Sequence, residues 1–369
     1  MKEDELYLDI EDDQEGEFAI QVPFDPKQVD ITVEPATVSA LVSRIRHGEI
    51  DLFPEFQRSA NLWDNTRMSQ LIESILIKLP LPAFYMDVAN DDKWVVVDGL
   101  QRLSTFKRFM VDKNLKLSHM EFLKELEGKK YNDLDRTLQR RIEDTPVTLF
   151  KIRKGTPKKV LTNLFYRINT AGLKMTAQEI RHALNQGPAT RFLNQVAEEP
   201  WFRQYLGVSP RRMLDRELLL RFIAFYRRGP AQYQPSLRMF LDEEMEHLNE
   251  KATEAERSAW AAACHRSLVR AEQLFGQNMF SKALLHPAGR PVINRSLFET
   301  TAVNLAHLTD AGMDRLLSQQ EAFISGYLDM MRKPDFEAAI TANTNRVESV
   351  ALRHQELQKL ITQYTDHAY

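Results

Sequence analysis

Residues 94–106 read Trp-Val-Val-Val-Asp-Gly-Leu-Gln-Arg-Leu-Ser-Thr-Phe and constrain the fold more than any other stretch of the chain. Trp94 to Val97 is an aromatic and β-branched run, which predicts a buried strand. Gly99 follows where the chain must turn, and Leu103, Phe106 and Met110 then recur at helical spacing. A strand–glycine–helix junction gathers backbone N–H groups and the positive end of a helix at one point, which favours an anion, most often phosphate. Arg102 lies in the first helical turn, where a guanidinium can fork onto phosphate oxygens. Asp98 ends the strand, in place to hold a ribose hydroxyl, a metal ion or a water. An ordinary turn with Asp98 as helix N-cap explains the same residues.

The rest of the chain supplies a frame for this junction. Val38, Leu41, Val42 and Ile45 predict a helix stopped by Gly48, preceded by a strand over 28–33. Pro54 keeps residues 52–58 out of a central strand, as an edge or loop. Asp64 is the expected N-cap of a helix through Lys78, with Met68, Leu71, Ile72, Ile75 and Leu76 as its core stripe. Ala83–Val88 and Trp94–Val97, separated by Asn90-Asp91-Asp92, predict an antiparallel hairpin. Helices are expected over 115–126 and 135–142, and a strand over 146–152. A helical stripe from Val160 to Ile168 comes next, and then a capping box of Thr176 and Glu179. From about residue 188 the pattern is helical throughout.

Composition narrows the class. The chain has 369 residues, net charge −3 and a single cysteine, Cys264. One cysteine excludes an internal disulfide and fits a reducing cytoplasm. No apolar run reaches membrane-spanning length and the acidic start carries no secretory pattern, so no membrane partner is expected. The first 17 residues hold nine acids and one lysine, which leaves the remainder at +5. A mildly basic body is compatible with nucleic acid, and the acidic lead-in reads as a solvated tail. No Gly-x4-Gly-Lys-Ser/Thr loop, His-Glu-x-x-His motif, paired cysteines or Gly-x-Ser-x-Gly elbow occurs, so a P-loop NTPase, a zinc site and an α/β-hydrolase are not expected. Glu127-Gly128-Lys129 has the spacing of half a nuclease site but falls at a glycine-broken helix end. Arg211, Arg212, Arg216, Arg227 and Arg228 cluster at the ends of one predicted helix. There they either track a nucleic-acid backbone or form a solvated face paired with acids.

Several motifs then occur in a fixed order. These are Phe56-Gln57-Arg58, Trp63, Leu71-Ile72-Glu73-Ser74-Ile75, Leu79-Pro80-Leu81-Pro82, Asp98-Gly99-Leu100-Gln101-Arg102-Leu103-Ser104-Thr105 and Arg167-Ile168-Asn169-Thr170-Ala171-Gly172. Over residues 35–245 the chain resembles the N-terminal domain of GmrSD-type restriction systems. The resemblance implies a ParB/sulfiredoxin-like fold, nucleotide binding or hydrolysis, and defence against foreign DNA. The family motif is Asp-Gly-Gln-Gln-Arg, and Leu100 stands in place of its first Gln.

These readings together predict an α+β protein. A lead-in over 1–26 precedes a small mixed-sheet ParB/sulfiredoxin-like domain over 27–155, and an α-helical domain fills 156–369. The expected site has Asp98, Gln101 and Arg102 as catalytic residues. Gln57, Arg58, Gly99, Arg102 and Asn169 would contact a nucleoside triphosphate carried with Mg2+, with no dedicated protein metal site. Asn169 serves equally as a helix C-cap. Two alternatives stay open: a DNA-binding or nicking protein using the same phosphate pocket, and a non-catalytic nucleotide-sensing scaffold. His286-Pro287 is the only hint of a His-Asn-His nuclease and the later histidines His307, His354 and His367 are isolated, so that nuclease is not expected, and a partner effector protein would supply any cleavage.

Overall fold

The computed structural model describes residues 29–52, 63–168, 176–207, 213–234, 236–285 and 291–365. The chain divides into two compact units that meet between Leu184 and Asn185.

The first unit is built on a five-stranded mixed sheet. Its elements are β1 (Ile31–Thr37), α1 (Val38–Arg46), β2 (Ile50–Asp51), α2 (Asn65–Leu76), β3 (Phe84–Asp87), β4 (Trp94–Asp98), α3 (Leu100–Phe106), α4 (Arg136–Glu143), β5 (Pro146–Ile152), α5 (Lys158–Ile168) and α6 (Ala177–Leu184). Strand order is β1-β5-β3-β4-β2. β1 runs antiparallel to β5 and β3 antiparallel to β4, while β5–β3 and β4–β2 are parallel. Strand side chains alternate between faces. Phe84, Met86, Trp94, Val96 and Leu149 therefore share one face, and all five are buried. The ring of Phe106 on α3 lies 6.3 Å from that of Phe84.

Most expected elements form, for the physical reasons that predict them. The Thr37 hydroxyl accepts from Ala40 N at the start of α1, and Asp64 and Asp135 cap α2 and α4 through their carboxylates. Thr176 and Glu179 close their capping box, with Glu179 N donating to Thr176 Oγ1 and Thr176 N donating to Glu179 Oε2. The first strand lies at 31–37 rather than 28–33. The short parallel strand β2 had no signal of its own.

The helix expected over 115–126 does not form, apart from one tight turn at Lys124–Leu126. Two acids claim the amides that such a helix would need. The Glu73 carboxylate accepts from the N–H groups of Glu121, Phe122 and Leu123, and Glu127 accepts from those of His119 and Met120. Glu73 is buried, and those three backbone bonds hold its pKa below the ordinary value in spite of the burial. The expected end of the α/β domain at residue 155 precedes α5 and α6, which fall in the same compact unit as the sheet.

The second unit is helical, as the periodicity predicts. It comprises α7 (Pro188–Glu198), α8 (Pro200–Leu206), α9 (Leu214–Arg228), α10 (Leu237–Glu250), α11 (Glu254–Phe275), α12 (Arg295–His307), α13 (Asp310–Ser318), α14 (Gln320–Arg332), α15 (Pro334–Thr341) and α16 (Val347–Tyr364). α9 and α12 are buried on nearly every side and pack on each other. Their charged residues pair inside the core. Glu217 accepts from Arg221 and faces Arg295, while Glu299 faces both Arg221 and Arg353.

His354 sits in the same core. Its Nδ1 lies 3.2 Å from the Asn304 amide nitrogen, and its Nε2 has no partner among the described residues. Burial pushes its pKa down to about 3. The folded state thus keeps His354 neutral, whereas the unfolded chain binds a proton below about pH 6.5. The stability that follows is complete above pH 6.5 and declines as pH falls toward 3. Between pH 7 and pH 5 the loss from this group is expected to be about 2 kcal/mol. Urea unfolding at the two pH values measures it, and His354→Gln should flatten the difference. His307, half-buried and shifted downward by burial, contributes with the same sign in both proteins.

Candidate nucleotide site

The central junction is delivered by the β3–β4 hairpin. Asn90 Oδ1 accepts from Asp92 N in the turn, and Asp87 Oδ1 accepts from Ala89 N before it. β4 then runs to Asp98, which lies opposite Tyr85 of β3.

Gly99 makes the turn at φ +101°, in the left-handed region, and is the N-cap of α3. A Cβ at this position would overlap Phe84 Cδ1. Both the backbone angle and the close approach require glycine. Asp98 therefore is not the N-cap; it belongs to the strand. The Gly99 carbonyl accepts from Leu103 N at 2.9 Å, and no side chain caps the first turn of α3 among the described residues. The amides of Leu100, Gln101 and Arg102 occupy that first turn, where N–H groups have no partner within the helix.

The four expected motif residues come together, but with different duties. Arg102 is turned into the protein. Its Nη1 donates to Pro82 O, its Nη2 donates to Ala83 O and to Asp98 Oδ2 at 3.0 Å each, and its guanidinium lies 4.2 Å over the Phe84 ring. It braces the start of β3 and orients Asp98. Burial raises the pKa of Asp98, opposed by the Arg102 charge and by a hydrogen bond from Gly99 N–H. Gln101 Oε1 accepts from Trp63 N at 2.9 Å, tying the turn to the segment before α2. Leu100 is 8% exposed. Beyond α3 the helix widens, with Asp112 N bonding Lys107 O five residues back; such widened turns recur at functional sites.

Gln57, Arg58 and Asn169 lie outside the described residues, as do Arg211 and Arg212. The remaining arginines of the basic cluster have partners within the protein. Arg216 is buried against Asp215 and Asn194, Arg227 grips Glu244 with two nitrogens, and Arg228 meets Glu243 and stacks on Phe240. Among the described residues no three His, Cys, Asp or Glu side chains cluster as a metal site, and no helix is long and apolar enough to cross a membrane. Tyr85 and Asp87 share the face of Asp98 and were missed from the sequence, although the alternation Phe-Tyr-Met-Asp in β3 carried the signal.

Residues 38–185 match the family model of the GmrSD restriction endonuclease N-terminal domain. This segment is a GmrSD N-terminal domain. No curated protein and no solved structure matched the chain. The match begins at Val38, just after β1, and ends within a residue of the end of the first compact unit, so it takes in β2 to β5, their helices and the Asp98–Arg102 turn. The sequence resemblance had reached to residue 245; the matched part stops at 185. The match links residues 38–185 to restriction systems.

Proposed function

We propose that the GmrSD N-terminal domain binds a nucleoside triphosphate with Mg2+ at the Asp98–Arg102 turn and hydrolyses it, in a protein that acts against foreign DNA together with a partner effector. One observation carries this reading: an uncapped helix start at Gly99 beside a half-buried carboxylate whose orientation is fixed by an arginine. The amides of Leu100 to Arg102 suit phosphate oxygens. Mg2+ is usually held by one or two carboxylates plus substrate phosphates, and Asp98 supplies one such carboxylate beside that point. The ion would neutralise phosphate charge; the protein fixes the geometry around it.

Within this reading Asp98 orients the metal or the attacking water, and Gln101 positions that water or a phosphate oxygen. Arg102 acts through Asp98 and Gly99 rather than by gripping phosphate, because its guanidinium already serves three acceptors. Arg102→Ala would therefore collapse the turn and is a poor probe of binding. Leu100 packs inward, so Leu in place of Gln removes no group from the ligand side of the turn.

Asp98→Asn is the discriminating variant. It keeps the shape and loses the charge. In calorimetric titrations with and without Mg2+, it is expected to lose the Mg2+-dependent part of nucleotide affinity. Steady-state hydrolysis is expected to fall by about a hundredfold or more, the scale of removing one preorganised electrostatic group. Unchanged Mg2+-dependent binding and turnover in Asp98→Asn would refute the assignment.

A further inference from the structure

We propose that the outer edge of β1 is a self-pairing surface. Two copies of the chain join β1 to β1 antiparallel, on a twofold axis through Val33, and their two five-stranded sheets become one. The pairing uses no residue of the Asp98–Arg102 turn.

β1 is an end strand of the sheet, with β5 as its neighbour. The ladder to β5 shows which of its backbone groups are used. Arg153 N donates to Asp30 O at 2.9 Å, and Val38 N donates to Thr145 O at 3.1 Å. Bonded pairs of an antiparallel ladder recur at every second residue. Thr32, Glu34 and Ala36 therefore bond β5, while Ile31, Val33 and Pro35 turn their backbone groups outward. Among the described residues nothing bonds those outward groups. Pro35 fits this placement, because a proline within a sheet sits where its missing N–H would face away from the ladder. The side chains of Ile31, Val33 and Pro35 share one face of the strand. Pro35 is exposed and Val33 is 57% exposed. An apolar edge strand of seven residues with free backbone groups is a template for another strand.

Charge selects the partner and the register. A twofold axis at Thr32 would set Glu34 opposite the partner's Asp30, and an axis at Glu34 would set two Glu34 carboxylates opposite each other. Like charges directly opposite are destabilising. The axis at Val33 sets Glu34 opposite the partner's Thr32, beside which the partner's Lys151 lies in the neighbouring strand. Lys151 already pairs with Glu34 of its own chain, so two lysines and two glutamates make one balanced row across the junction. On the other face Val33 meets Val33 and Ile31 meets Pro35. Each Val33 N–H donates to the other Val33 carbonyl, and each Ile31 N–H donates to a Pro35 carbonyl. The contact is isologous and closes on itself, so it ends at a dimer.

Sedimentation velocity of the full-length protein, from low to high micromolar, is expected to show a monomer passing to a dimer. Val33→Pro removes the outward N–H at the axis and leaves β5 its bonds; it is expected to weaken dimerisation about tenfold or more. Pro35→Val supplies the missing N–H opposite Ile31 and is expected to strengthen it. The unfolding transition of each variant reports an intact sheet. Register is read by cross-linking with copper phenanthroline, in which buried Cys264 does not compete. Val33→Cys is expected to cross-link to its own copy. Pro35→Cys is not, since its two copies lie about 14 Å apart at the strand rise. A wild-type protein that stays monomeric, a dimer unchanged in both Val33→Pro and Pro35→Val, or cross-linking of Pro35→Cys in place of Val33→Cys overturns the proposal.

Discussion

Glu299→Gln is expected to cost the helical unit about 3–5 kcal/mol, the usual penalty for stripping one partner from a buried ion pair. Glu299 is 0% exposed and is shared by two arginines that are themselves almost wholly buried. Arg221 keeps Glu217 as a neighbour, at 3.0 Å. Arg353 keeps Thr300 Oγ1 and the carbonyls of Thr344 and Ala339, none of which carries charge. The guanidinium of Arg353 would then sit desolvated with no counter-ion. Against a typical domain stability of about 5–15 kcal/mol, that loss is large. Urea unfolding should show a lower midpoint at unchanged slope. Glu243→Gln is the contrast, since Glu243 is a half-exposed partner of Arg228; its effect should stay within about 1 kcal/mol. Equal effects from the two variants would mean that water reaches the Glu299 pair.

Gly99→Ala is expected to cost the sheet unit about 2–4 kcal/mol. The positive φ contributes about 1 kcal/mol of that. Overpacking against Phe84 adds about 1–3 kcal/mol. Relief by moving Phe84 is restricted, because the ring lies under Arg102 and against Phe106. Nucleotide binding should fall with stability, since the same glycine sets the direction of the first-turn amides. Differential scanning calorimetry and titration of the same sample measure both. A Gly99→Ala protein of wild-type stability would show that the turn tolerates a side chain, and the account of the junction would fail.

The junction itself was legible because it rests on local rules. A β-branched run, a glycine and a 3.6-residue period are each visible within a few residues, and strand, turn and helix fall where those rules put them. The caps at Asp64, Asp135 and Thr176 were legible for the same reason. What the sequence hid depends on partners far along the chain. Glu73 reads as a polar residue at the edge of an apolar stripe, yet its carboxylate ties down amides 48–50 residues away and removes a helix that local periodicity favours. Arg102 reads as a phosphate ligand in the first turn of a helix. Only the fold brings Pro82 O, Ala83 O and Phe84 to its guanidinium, which changes its role from grip to brace. For the basic cluster around α9 the sequence left two readings, a nucleic-acid track or a face paired with acids; the acids of the described arginines arrive from α10, in the case of Arg227 and Arg228, or lie one residue away, in the case of Arg216. Tyr85 and Phe150 become one stack only through the parallel pairing of β3 and β5, which no local pattern encodes.

In the proposed function, nucleotide phosphates sit on the amides of the Asp98–Arg102 turn. Amide hydrogen exchange with and without nucleotide and Mg2+ tests it most directly. The amides of Leu100, Gln101 and Arg102 lie in the first turn of α3, so bound phosphate would add hydrogen bonds to them. On binding, exchange over residues 98–103 is predicted to slow markedly, and the protection should vanish in Asp98→Asn when Mg2+ is required for binding. Nucleotide binding that leaves exchange at these three amides unchanged would contradict the account and place the phosphates elsewhere.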